Sequence, residues 1–173
     1  MSDQVQFWLT LIGPVVLVVL FMFLLTFLRD RKREKQIFNY YELNPSVLTR
    51  AEQKFYASLK KVVGEKYQIL IKTRLADIFK TKDGSGYYAA LNKITAKHID
   101  FLLCEPDSFE PILGIELDDI SHKRSNRKDR DAFVNRLFEQ AEMSLLRVPV
   151  TGQYPAEELR DKIAGILREA GRL

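Results

Sequence analysis

Apolar and polar positions follow three rhythms along this chain, and each predicts a different kind of element. Phe7 to Leu28, FWLTLIGPVVLVVLFMFLLTFL, carries no charge, and as a helix it would run about 33 Å, enough to cross the hydrocarbon layer of a bilayer. Helical spacing governs TRAEQKFYASLKKVVG from Thr49, with Phe55, Leu59, Val62 and Val63 on one stripe. It returns in RDAFVNRLFEQAEM, through Val134, Leu137, Phe138 and Ala141, and in a closing helix after Tyr154-Pro155, through Leu159, Ile163, Ile166 and Leu167. Strands are predicted over Tyr67–Lys72 and Ser144–Val150, the second interrupted by Arg147, which shares a face with Leu145. Between Thr73 and Ala96, LADIFK and YYAALNKITAK predict short helical pieces around the turn KDGSGY, whose glycines are too sparse for a phosphate-binding loop.

The remaining stretch, Lys97 to His122, organises the rest. It holds two apolar strands joined by the turn-rich EPDSFEP, short enough to make them antiparallel neighbours. Alternation places His98, Asp100, Leu102 and Cys104 on one face and Ile99, Phe101 and Leu103 on the other. On the second strand it puts Glu116 with Asp118, and sends Ile115 and Leu117 to the side that packs on a helix. Asp100, Glu116 and Asp118 are thereby expected to converge.

Three buried carboxylates repel one another and each is costly to desolvate, so the cluster needs a cation or several hydrogen-bond donors. A hard divalent cation, Mg²⁺ or Mn²⁺, is one answer, since it takes carboxylate and water oxygens. An exposed sheet edge, or pairing with nearby Lys and Arg, is the other. Glu52 stands three residues after Thr49, the spacing of a capping box, and three before Phe55 on the inward side, so it is a candidate both as a cap and as a further acid of the site. Lys97 and Arg147 are candidate donors near the acids. The basic run KRSNRKDRD, with Lys123, Arg124, Arg127 and Lys128, opposes the dipole of the helix it leads into; phosphate contact and a solvated loop are its two readings.

The chain of 173 residues is long enough for one domain plus an appendage. The predicted layout is an N-terminal segment 1–28 containing the span 7–28, a basic linker 29–48 and a domain 49–173. RDRKREK follows the span while only Asp3 precedes it, so the positive-inside rule expects a single-pass anchor in the cytoplasmic (inner) membrane with the domain in the cytoplasm. The six residues before the span lack Lys and Arg, and no A-x-A site follows, which argues against a cleaved signal peptide. A net charge of +4 is a weak pointer to a polyanion, and the single cysteine, Cys104, excludes an internal disulfide.

HIDFLLC, GIELDDISH and RDAFVNRLFEQAEMSLLRVPV, in this order of elements, resemble a bacterial domain family of unknown function, number 2726. Its pattern is similar to very-short-patch-repair endonucleases of the PD-(D/E)XK superfamily. The resemblance runs over roughly Leu48 to Leu167. It implies an α/β restriction-endonuclease-like domain with a mixed sheet flanked by helices. It also implies metal binding by Asp100 and Glu116, Glu52 as the first-helix acid, and His122 as a proton-transfer group. The usual E-x-K is E-x-D here, so Asp118 stands where a lysine normally helps activate water; His122, Lys123, Lys97 or a second metal held partly by Asp118 are the substitutes. The resulting expectation is a membrane-anchored nuclease that hydrolyses DNA phosphodiester bonds with Mg²⁺ or Mn²⁺. Its alternatives are an inactive module of the same fold that binds nucleic acid or a protein at the membrane, and a structural protein whose acids pair with Arg147 and Lys97.

Overall fold

The computed structural model describes residues 3–118 and 125–172. Two compact units divide the chain, Met1–Pro45 and Ser46–Leu173. In the first, helix α1 covers Asp3–Phe38 and contains Pro14. Its stretch Gln6–Glu34 is long and apolar enough to span a membrane, and none of its most apolar window is buried in the protein. Such a surface would be unfavourable in water, which is the physical argument for a lipid environment. Beyond Leu28 the helix continues for about three turns into the predicted linker.

The second unit is a mixed α/β fold. Helix α2 (Arg50–Val63) leads into strand β1 (Gln68–Arg74); a short helical insert, α3 (Leu75–Ile78) and α4 (Tyr87–Thr95), precedes β2 (His98–Cys104). Strand β3 (Pro111–Asp118), helix α5 (Ser125–Gln140), strand β4 (Ser144–Pro149) and helix α6 (Ala156–Glu169) complete it. The four strands stand in chain order. The first three are antiparallel, joined by the insert and by the turn after Cys104, whereas β4 is parallel to β3 because the chain returns through α5.

Apolar side chains sort to the two faces of this sheet. Phe101, Leu103, Leu113, Ile115, Leu146 and Val148 pack with Phe55 and Leu59 of α2 and Leu159, Ile163 and Leu167 of α6. Leu102 and Cys104 face Val134 and Phe138 of α5. Ile99 departs from the predicted alternation and groups with Leu75 and Ile94 of the insert rather than with Phe101. At Gly114 the sheet backbone and α5 meet without room for a methyl group, since a Cβ would lie 2.5 Å from a ring carbon of Phe138. Helix α5 begins at Ser125, earlier than the apolar stripe indicates, so Arg127 and Lys128 belong to its first turn rather than to a loop.

Candidate functional site

Register brings four charged residues into one line. The pairs Ile71↔Phe101 and Thr73↔Ile99 bracket Lys72 and Asp100, and one further step from Phe101↔Ile115 sets Asp100 opposite Glu116. Glu116 in turn pairs with Arg147. The row across β1, β2, β3 and β4 therefore reads Lys72, Asp100, Glu116, Arg147: positive, negative, negative, positive. Both central acids are buried, at 7% and 5% exposure. An arrangement with cations on both flanks reduces the cost of two adjacent carboxylates, which alone would repel.

At the β1 end, the Lys72 ammonium is 2.6 Å from Glu52 Oε1 and 2.8 Å from Asp100 Oδ1. Glu52 reaches it from the start of α2. That helix carries the predicted capping box: Thr49 N–H donates to Glu52 Oε2 at 2.8 Å, and Glu52 N–H donates to the Thr49 hydroxyl. One Glu52 oxygen thus serves the cap and the other meets Lys72. Asp100 Oδ2 accepts the Leu117 backbone N–H at 3.0 Å, which ties β2's acid to β3. Burial pulls the Lys72 pKa down, but the hydrogen bonds to Asp100 and Glu52 outweigh it, and the ammonium is held above its ordinary value. His98 Nε2 lies 3.5 Å from Lys72 Nζ; burial first, and then the Lys72 charge, lower its pKa and favour the neutral ring. Lys72 itself has φ +49°, the left-handed region that a lysine rarely enters.

The β4 end is less fully compensated. Glu116 Oε1 is 3.4 Å from the Arg130 guanidinium of α5, too long for a strong charged hydrogen bond. Burial first, and then the neighbouring Asp100 charge, push the Glu116 carboxyl up to about 7. Asp118 turns to Arg147 at 2.7 Å, and the same guanidinium donates to Asn135 at 2.9 Å. Its Nη2 lies 3.7 Å from Asp131 and, although buried, has no hydrogen-bond partner among the described residues.

Residues 44–166 match the model of a family described as proteins of unknown function, DUF2726. The chain belongs to this family. No curated protein and no solved structure matches it.

In this DUF2726 domain, Lys72 bridges Glu52 and Asp100, Glu116 stands opposite Asp100, and Arg147 is the register partner of Glu116 on β4. The expected trio of Asp100, Glu116 and Asp118 does not form a common cage: Asp118 is drawn away by Arg147, and no group of three or more His, Cys, Asp or Glu that could hold a metal occurs among the described residues. Lys97 departs from its predicted role beside the acids; its ammonium donates to the Lys93 carbonyl and sits over the Phe133 ring. His122, Lys123 and Arg124 lie outside the described residues, as do the side chains of Arg127 and Lys128. Lys72 and Arg130 are the members that sequence reasoning missed. Lys72 closes an apolar strand, where a lysine reads as an exit to solvent, and only the pairing register reveals that it faces Asp100.

Proposed function

We propose that the Ser46–Leu173 unit is a nuclease-like domain that hydrolyses DNA phosphodiester bonds with a divalent cation, tethered to a membrane by α1. The observation that carries this reading is the pair of adjacent buried carboxylates, Asp100 and Glu116, with an acid from the first helix and a lysine bound beside them. The order of helix, three antiparallel strands, helix and parallel strand supports it through the resemblance to PD-(D/E)XK enzymes.

The donor set suits Mg²⁺ or Mn²⁺. Two hard carboxylates with the remaining positions left to water is a common arrangement for Mg²⁺, and the weakly compensated Glu116 would gain most from a cation. When bound there, such a cation polarises a phosphoryl oxygen and lowers the pKa of a bound water. The chain's own groups would supply positioning. Lys72, fixed between Glu52 and Asp100, stands in for the lysine that E-x-D lacks: its ammonium donates a hydrogen bond to a water or phosphate oxygen and holds it beside the acids. Neutral His98, beside Lys72, is able to accept a proton. Arg147, whose Nη2 lies near Asp131 but has no hydrogen-bond partner among the described residues, offers a donor to a phosphate oxygen.

One observation favours a second reading, an inactive binding module of the same fold. Both oxygens of Asp100 already have partners, Lys72 and the Leu117 amide, so that acid is compensated without a metal. Plasmid nicking by the full chain in detergent, with Mg²⁺, Mn²⁺ or EDTA, separates the two. Metal-dependent cleavage lost in Glu116→Gln, Asp100→Asn and Lys72→Met supports hydrolysis. Cleavage that persists in Glu116→Gln defeats this assignment of the site; no cleavage, together with no rise in melting temperature on adding metal, leaves the binding module. We place the domain in the cytoplasm, because the basic run RDRKREK lies between the span and the domain, and such runs favour the cytoplasmic side. A reporter fused after Leu173 that is active only outside the cytoplasm tests that placement.

A further inference from the structure

A groove between α4, the segment before it and α5 has none of the residues of the charged row, yet has its own chemistry. Its volume is about 370 Å³; its apolar floor includes Phe79, Ile94 and Phe133, and Lys80, Lys82 and Lys93 stand at its rim. All three lysines are exposed, and among the described residues no carboxylate lines the groove. Lys97 adds a fourth positive charge, 5.2 Å from the centre of the Phe133 ring. The lining also contains Thr81, whose hydroxyl is buried and has no hydrogen-bond partner among the described residues. A buried orphan hydroxyl costs free energy unless something satisfies it, so it marks a place where a polar group of a ligand would be welcome.

Lysines alone would suit any anion. An apolar aromatic floor under a ring of lysines suits an anion that also carries a flat apolar face, which is the make-up of a nucleotide strand: phosphates on the cations, bases against the rings. The groove also adjoins the charged row. Phe133 lies three residues beyond Arg130 on α5 and so on a neighbouring position of the same helix face, and Lys97 immediately precedes His98.

We propose that this groove binds single-stranded nucleic acid, holding the segment that flanks the scissile phosphate. The choice of ligand rests on the nuclease-like reading of the row; the groove's charge and apolar floor do not. A strand whose phosphate sits at Asp100 and Glu116 would pass Lys97 and lay its next nucleotides over Phe133, with phosphates on Lys80, Lys82 and Lys93. This gives the domain a preference for frayed or single-stranded substrate, since the floor is reached only by an unpaired base.

The test is fluorescence anisotropy of labelled oligothymidine with the full chain in non-ionic detergent, in EDTA to prevent cleavage, over a series of salt concentrations. Replacing Lys80, Lys82 and Lys93 together by Gln is expected to weaken binding roughly tenfold at moderate salt and to reduce the slope of log affinity against log salt by about 2, at ~0.7 per phosphate contact. Phe133→Leu keeps an apolar floor but removes the ring, and is expected to weaken binding while leaving the slope unchanged. The inference is overturned if the triple variant binds with wild-type affinity and slope, or if the wild type does not bind the oligonucleotide. Lysine-dependent binding to phosphatidylglycerol vesicles in place of oligothymidine would overturn it in favour of a lipid site. Plasmid cleavage is read separately: lysine-dependent binding without cleavage sinks only the hydrolase reading, and cleavage with unaltered binding by the triple variant sinks only the groove.

Discussion

One side of the sheet is built in two ways along its length. Towards Cys104 it is dry: the Phe138 ring lies directly on Gly114, and Leu102 and Cys104 pack beneath α5. Towards His98 the same strands carry Asp100 and Glu116, flanked by Lys72 and Arg147. The strands are shared, so the difference lies chiefly in what each half asks of its side chains. The dry half is held by close fit, which any change of volume disturbs. The charged half is held by compensation, which the loss of a single partner undoes. A site able to receive a ligand is expected in the second kind of place, where satisfaction by the protein's own groups is incomplete.

The largest effect should come from removing the cation that two buried acids share. Lys72→Met leaves Glu52 and Asp100 facing each other without it, and is expected to lower stability by about 3 kcal/mol in denaturant unfolding. Arg74→Met, which breaks the exposed pair with Asp77, should leave stability almost unchanged in the same assay. Equal losses would mean that the two ion pairs do not differ as their burial suggests.

Glu116 gives the next effect, with a sign that depends on pH. Its folded pKa of about 7 lies above the ordinary 4.5, so the folded state binds the proton more tightly than the unfolded chain does. That contribution is complete below about pH 4.5 and fades as pH rises towards 7, a loss of up to about 3 kcal/mol. Glu116→Gln should flatten this part of the stability profile, while the opposing slope from His98, whose pKa is lowered, remains. Superimposable wild-type and variant profiles would mean that Glu116 ionises as an ordinary surface acid.

In the dry half, Gly114→Ala should cost about 2 kcal/mol, because its Cβ would press on the Phe138 ring, and Phe138→Leu in the same chain should recover part of the loss. Additive losses would show that the two residues do not meet. A smaller effect is expected at the cap. Thr49→Ala should cost about 1 kcal/mol by calorimetric melting, and a loss near zero would show that the Thr49 hydroxyl does not hold the first turn of α2.

Much of this was legible in the residues because local rules decide it. The Thr49 and Glu52 spacing specified a cap that formed, and the alternation in HIDFLLC separated Phe101 and Leu103 from Leu102 and Cys104, though not Ile99. The short turn after Cys104 made β2 and β3 neighbours, which was enough to bring Asp100 and Glu116 together. What escaped depends on contacts distant in sequence. The partner of Asp100 is a lysine 28 positions away, and Asp118 leaves the acids for an arginine that reaches it only because β4 runs parallel to β3. Composition announced that cations were available and said nothing of which acid each would choose. The start of α5 was misjudged for another reason: its first turn is polar, and periodicity cannot register a helix before its apolar stripe begins.

The left-handed backbone at Lys72 has a consequence beyond the site. β1 is an outer strand of the sheet, and a regular outer strand presents a row of amides and carbonyls on which another chain can assemble. The turn to φ +49° interrupts the regular strand conformation near its middle. Copies whose α1 helices share a bilayer would be crowded into two dimensions, where strand-to-strand association between neighbours is favoured by concentration alone. The residue that neutralises the acids would then also help keep neighbouring domains apart.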